Sequence, residues 1–284
     1  MRILLLITAL IFSLNAKSLF SNSDQADNSK YIGALKDLII STQKTRGLTN
    51  NYLNGNTTSM LLVYGNRKEM KKAIGTMESL PLASDPIINN RATNISESLI
   101  KLNRKAFKRD PAEVFEQYTE LIEQTLMLAQ TVSKHGSKEL NPLGKKLSTV
   151  MMEVILPLSE YVGQMRGMGS GIVAKGKITK NQKAHMLAII YEIETLTSEL
   201  IMDIKIIASS NKENFSSNLD AKLSSIEESS KNYISLTNDE VIEKKEIAFD
   251  TDEYFNKGTD LISLLIDVYN INNKVILDDS KGWI

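Results

Sequence analysis

The chain has 284 residues, with 34 basic and 34 acidic side chains, 42% hydrophobic and 6% aromatic residues, and no cysteine. The missing cysteine excludes disulfides and lipid attachment through a thiol, and the balanced charge offers no basic footprint for nucleic acid. A composition dominated by Leu, Ile, Met, Lys and Glu favours helices over strands, buried in one large core or two modest ones.

Residues 1–16 read as an export signal. Met1-Arg2 gives a positive start, Ile3 to Leu14 an almost unbroken apolar run, and Leu14-Asn15-Ala16 a small-residue cleavage site. The run is shorter than the about 20 residues that span a bilayer as a helix. The mature protein is therefore expected outside the cytoplasm, periplasmic or otherwise secreted, without a stable membrane span. Loss of Arg2 leaves 33 basic and 34 acidic groups, a net charge of −1 (33 − 34).

The first helix is predicted over about 24–53, with Tyr31, Leu35, Leu38 and Ile39 on one face. Asn54-Gly55-Asn56 ends it, and Thr57 or Thr58 is placed to cap a second helix through Met60, Met70, Ile74 and Met77. Asp85-Pro86 opens a third helix to about Phe107, and Asp110-Pro111-Ala112-Glu113 a fourth to His135-Gly136. Asn141-Pro142 opens a fifth, expected to kink at Pro157 and to run on to Gly176. Thr179 and Gln182 form a capping box for a sixth helix to about Ser210. A seventh follows over about 218–244, and Asp250 precedes an eighth with Phe255, Leu261, Ile262, Leu265 and Val268 as its stripe. The expected fold is all-α: two antiparallel four-helix bundles, about eight helices, packed together with a ligand site between them.

Two stretches repeat one another 120 residues apart: Gln43-Lys-Thr-Arg46-Gly47-Leu48-Thr49 and Gln164-Met-Arg166-Gly167-Met168-Gly169-Ser170. The chain has only seven arginines, and two share this setting. A period so long implies two related halves rather than a solenoid of about 20–50-residue units. Two guanidiniums brought together from the halves would suit a small, planar, oxygen-rich anion. The plainer role for each Arg is an ion pair with a Glu of a neighbouring helix; Glu160, on the helix of Arg166 and six positions away, is not an obvious partner for it.

Gly171-x4-Gly176-Lys177 approaches a phosphate loop, but Ile178 stands where a Mg²⁺-binding hydroxyl is needed and no strand precedes it. Gly167 and Gly171, one turn apart, instead permit a close helix crossing. His135 and His185 lack neighbours at metal-ligand spacing, and no nucleophile elbow or His-Glu-x-x-His helix is present. No metal, cofactor or enzymatic chemistry is expected.

At these residues the chain resembles the nitrate- and nitrite-sensing (NIT) domain family. Gln43-x-x-Arg46-Gly47 with Thr49 and Tyr52-Leu53 is similar to its first signature, and Met165-Arg166-Gly167-x-Gly169-Ser170 to its mid-domain signature. Leu102-Asn103-Arg104 followed by Tyr118-Thr119, and Glu253-Tyr254-Phe255 followed by Thr259-Asp260, are weaker matches in the expected order. Thr45, where the family often has Glu, and Tyr254, where it often has Trp, depart from the pattern. The resemblance implies a NIT-like domain over residues 24–284 that holds nitrate or nitrite with Arg46 and Arg166. Gly47, Gly167, Thr49 and Ser170 lie beside them, and Arg104 matches a recurrent family arginine. Such domains usually adjoin an output module; with the chain ending at Ile284, a free-standing exported sensor is expected. Its partner would be a chemoreceptor or sensor-kinase ectodomain, and a homodimer is compatible. The competing expectation is a helical scaffolding protein of the envelope that binds a protein partner and no small ligand.

Overall fold

The computed structural model describes the backbone of residues 2–281 and the side chains of 25–278. The expected export segment, 1–16, lies outside the residues whose side chains are described. Among the described residues there is no strand, and no helix is long and apolar enough to cross a membrane.

Helix α1 (Arg2–Leu53) ends at a turn in which Gly55 takes φ 115°. Helix α2 (Ser59–Ser79) follows. Thr58 precedes it without capping it, because its hydroxyl donates to Asn56 Oδ1 (2.5 Å) instead. Helices α3 (Pro86–Lys105) and α4 (Pro111–Gly136) start as their sequences dictate: Asp85 accepts from the N–H of Ile87 and Ile88, and Asp110 from Ala112 and Glu113. Glu113 does not complete a capping box; its carboxylate pairs with Arg109.

Helix α5 (Pro142–Thr149) runs through a π-helical segment (Val150–Ile155) into α6 (Leu156–Lys175). Pro157 explains that segment. Proline has no N–H and its ring crowds the carbonyl four residues earlier, and a wider turn relieves the conflict. At Pro157, where the sequence leads one to expect a kink, the helix carries a π turn just ahead of the ring. Gly176 closes α6 in the left-handed region, φ 71°. Helix α7 (Lys180–Ser209) has both bonds of the Thr179–Gln182 capping box. Helices α8 (Leu219–Thr237) and α9 (Thr251–Lys281) complete the chain. The Walker-like run is thereby α6 and its cap, not a phosphate loop.

Helices α1–α4 pack as one bundle and α6–α9 as the other, joined mainly along α1 and α6. One apolar cluster runs through both, from Tyr31, Leu35 and Leu38 through Ile155, Leu158 and Val162 to Leu261 and Leu265. The two central helices lie parallel and in register. A Cβ on Gly163 would meet Gln43, one on Gly167 would meet Gly47, and one on Gly171 would meet Asn50 and Asn54. Glycines at every fourth position give α6 a smooth stripe, so the backbones approach more closely than side chains would allow.

Candidate functional site

Gly47 and Gly167 touch at the centre of the α1–α6 contact, and the arginine preceding each is buried. Arg46 is 0% exposed and Arg166 2%. Each guanidinium lies over a phenyl ring and donates to a threonine one helical turn beyond that ring. Arg46 Cζ is 4.8 Å from the Phe115 centroid, and Nη1 donates to Thr119 Oγ1 at 2.8 Å. Arg166 Cζ is 4.6 Å from the Phe255 centroid, and Nη1 donates to Thr259 Oγ1 at 2.9 Å. Each threonine hydroxyl in turn donates to the carbonyl of its phenylalanine, at 3.0 Å in both cases. The rings also flank the glycines, Phe255 against Gly47 and Phe115 against Gly167. The sequence repeat is therefore a structural two-fold, with α1 and α4 answering to α6 and α9.

The symmetry breaks at the charges. Arg46 grips Glu160 of α6 in bidentate fashion, Nη1 to Oε1 at 2.5 Å and Nη2 to Oε2 at 3.2 Å. Gln164 Nε2 steadies that carboxylate at 2.9 Å. The repeat places Ile40 where the second half has Glu160, since 160 − 120 = 40. Among the described residues Arg166 accordingly has no paired carboxylate. Its Nε and Nη2 are buried without a partner, so one N–H of its five is engaged. Burial pushes its pKa down to about 10; the charge of Arg46 adds to this, whereas Tyr233 and Glu160 oppose it. It is still a cation at neutral pH, and a buried cation with open donors is costly unless something satisfies it.

The family description of nitrate and nitrite sensing domains fits residues 37–268, most of the chain. The chain belongs to the NIT family. No curated protein matches it. Among solved structures, that of the NasR transcription antiterminator is similar, with a TM-score of 0.70 and 12% identity over 98% of this chain and 75% of that one. At that identity the likeness is one of fold.

Other features singled out from the sequence fall at varied distances from the arginine pair. Ser170 donates to Asn51 Oδ1 (2.5 Å), and Asn50 Nδ2 to the Gly167 carbonyl (2.8 Å), so both tie α1 to α6. Thr49 is fully buried, beside the Tyr118 phenol. Arg104 is exposed at the last turn of α3. His135 and His185 are exposed, and no metal-binding cluster occurs among the described residues.

Sequence reasoning missed the two phenylalanines as cradles and Glu160 as the partner of Arg46. Gln43, named in the repeat but given no role there, has its buried amide packed on Gly163 beside Arg46 with both polar atoms free. The available signal was the Phe-x3-Thr spacing, present in both α4 and α9. A cavity of about 510 Å³ opens from the surface between α1, α2 and α9 and reaches Arg166 and Thr259. Lys44, Lys72 and Glu69 stand among its outer residues.

Proposed function

We propose that this NIT protein senses nitrate or nitrite by seating the anion against Arg166, with Arg46 across the glycine contact supplying the second positive charge. The observation that carries the reading is the buried Arg166 guanidinium, whose Nε and Nη2 have no partner. A planar oxyanion offers acceptors matched to a guanidinium fork, and the buried setting strengthens each bond by excluding water. The cavity at Arg166 provides an entry path, and the free Gln43 amide a further donor nearby. Thr49, Ser170, Gly47 and Gly167 shape the centre around the arginines, and Arg104 is the outlying member of the expected set.

In this reading the anion draws the two halves together along α1 and α6, outside the cytoplasm, and a partner protein such as a receptor ectodomain prefers one ligation state. Binding matters to the partner only through such differential affinity, and the coupling is reciprocal. Calorimetric titration of the protein with nitrate and nitrite tests the first step. Heat of binding that disappears in Arg166→Lys, which keeps the charge but loses the fork, is the expected result. A folded wild-type protein giving no heat with either anion would overturn the reading. Cross-linking in cells with and without nitrate tests the second step, and identical captured proteins would leave a passive binding protein.

A further inference from the structure

The asymmetry between the two arginines carries more than an anion seat. Arg67 of α2 is half-buried over the Phe107 ring, beside Tyr118 of α4; along the α1–α6 contact the buried charges are Arg46, Arg166 and Glu160, two positive and one negative. All three are nearly or wholly buried, and the charges of Arg46 and Glu160 both reach the Arg166 guanidinium. Glu160 is not a loose surface group. Both of its oxygens are held by Arg46, and Oε1 also by Gln164. The residue occupying its place in the other half is Ile40, which can neither carry charge nor accept a bond.

The charged groups at the cavity mouth do not change this inner sum. Lys36 is paired with Asp37, Asp267 with Lys222, and Lys44, Lys72 and Glu69 are exposed to screening solvent. Resting on the reading that an oxyanion docks at Arg166, we infer that Glu160 is the specificity-determining residue that limits the site to anions of a single negative charge. With Glu160 in place, the buried set has a surplus of one positive charge, and one monovalent anion neutralises it. A divalent anion of similar shape would leave one negative charge buried beside the Glu160 carboxylate. Such an uncompensated charge is what a low-dielectric interior rejects most strongly. On this account Glu160 selects by charge, while the fork of Arg166 selects by shape.

Perchlorate and sulfate separate charge from shape, because both are tetrahedral and both are fully ionised at neutral pH. Their affinities are to be measured by calorimetry on the full chain, beside nitrate, for the wild type and Glu160→Gln. The wild type should prefer perchlorate. In Glu160→Gln the sulfate-to-perchlorate affinity ratio should rise by about tenfold or more, as expected for removing one buried charge near the ligand. Since Glu160→Gln leaves Arg46 short of a counter-ion, the double variant Arg46→Gln/Glu160→Gln restores a surplus of one charge. It should bind nitrate more weakly but return the ratio to the wild-type value. An unchanged ratio in a folded Glu160→Gln protein, or a double variant that keeps a raised ratio, would overturn the inference. A wild type that binds none of the three anions would instead sink the sensing proposal beneath it.

Discussion

Gly47 and Gly167 meet backbone to backbone: a Cβ built on Gly167 would lie 3.0 Å from the Cα of Gly47, and one built on Gly47 3.2 Å from the Cα of Gly167. Neither neighbour is a flexible side-chain tip, so a methyl group there must push the helices apart. Phe255 and Phe115 close the same space from the two sides.

Gly167→Ala should therefore destabilise the protein by about 1–3 kcal/mol, despite the gain in helix propensity, because overpacking outweighs it. Gly75, within α2, offers the opposite sign. Nothing lies within 4 Å of its hypothetical Cβ, and Gly75→Ala should stabilise by about 0.5–1 kcal/mol. Urea unfolding monitored by circular dichroism measures both.

Removing the two arginines should have unlike consequences. Arg46→Met strands the Glu160 carboxylate in the core and should cost about 3–5 kcal/mol, as breaking one partner of a buried pair does. Arg166→Met deletes a buried cation that has no counter-ion, and should range from no change to about 2 kcal/mol of added stability without ligand. Equal losses in the two variants would show that Arg166 is held by something other than Thr259 and Phe255.

Nitrate should raise the melting temperature of the wild type. At about 100 times its dissociation constant a ligand adds roughly 2.7 kcal/mol, several degrees for a domain of this size. The shift should vanish in Arg166→Met even though that variant melts no earlier than the wild type without nitrate. Thermal scans across a nitrate series, with chloride as the ionic-strength control, make the comparison.

Alkali should unfold the protein through its tyrosines. Burial raises Tyr31 and Tyr254 to about 12, and raises Tyr118, Tyr233 and Tyr269 as well. A raised phenol favours the folded state fully below its unfolded value of 10, and that contribution is lost as pH climbs toward about 12. Arg166 works in the opposite sense, its depressed pKa removing a penalty above about 10, but one group opposes five. Phenolate absorbance and helical ellipticity should therefore change together between pH 10 and 12. Tyrosines titrating freely before helix is lost would contradict this.

Helix starts marked by Asp85-Pro86, Asp110-Pro111, Asn141-Pro142 and Thr179–Gln182 could be read from the sequence because capping is local chemistry, complete within four residues. Thr58 misled for the same reason: its hydroxyl had a competing neighbour, Asn56, just as close. The arginine repeat and the close glycine crossing were legible as pattern and spacing. The Arg46–Glu160 pair was not, since its members are 114 positions apart and only the parallel register of α1 and α6 brings them together. In the sequence Glu160 stands near Arg166, its helix-mate, and nothing local points it to Arg46. The phenylalanine cradles were hidden because an aromatic on a helix stripe looks the same whether it faces core or cation.

The π segment ahead of Pro157 sets the rotational phase of everything after it. A π turn accommodates one residue more than an α turn would, and each residue of an α-helix advances the side-chain direction by about 100°. With the segment in place, Gly163, Gly167 and Gly171 face α1 while α5, on the other side of it, packs on α9. Deleting a single residue between 150 and 155 and letting the turn relax to α would swing the glycine stripe off its track. Arg166 would be carried away from Phe255 with it. The anion seat thus depends on a length, counted in residues, as much as on the identity of any side chain.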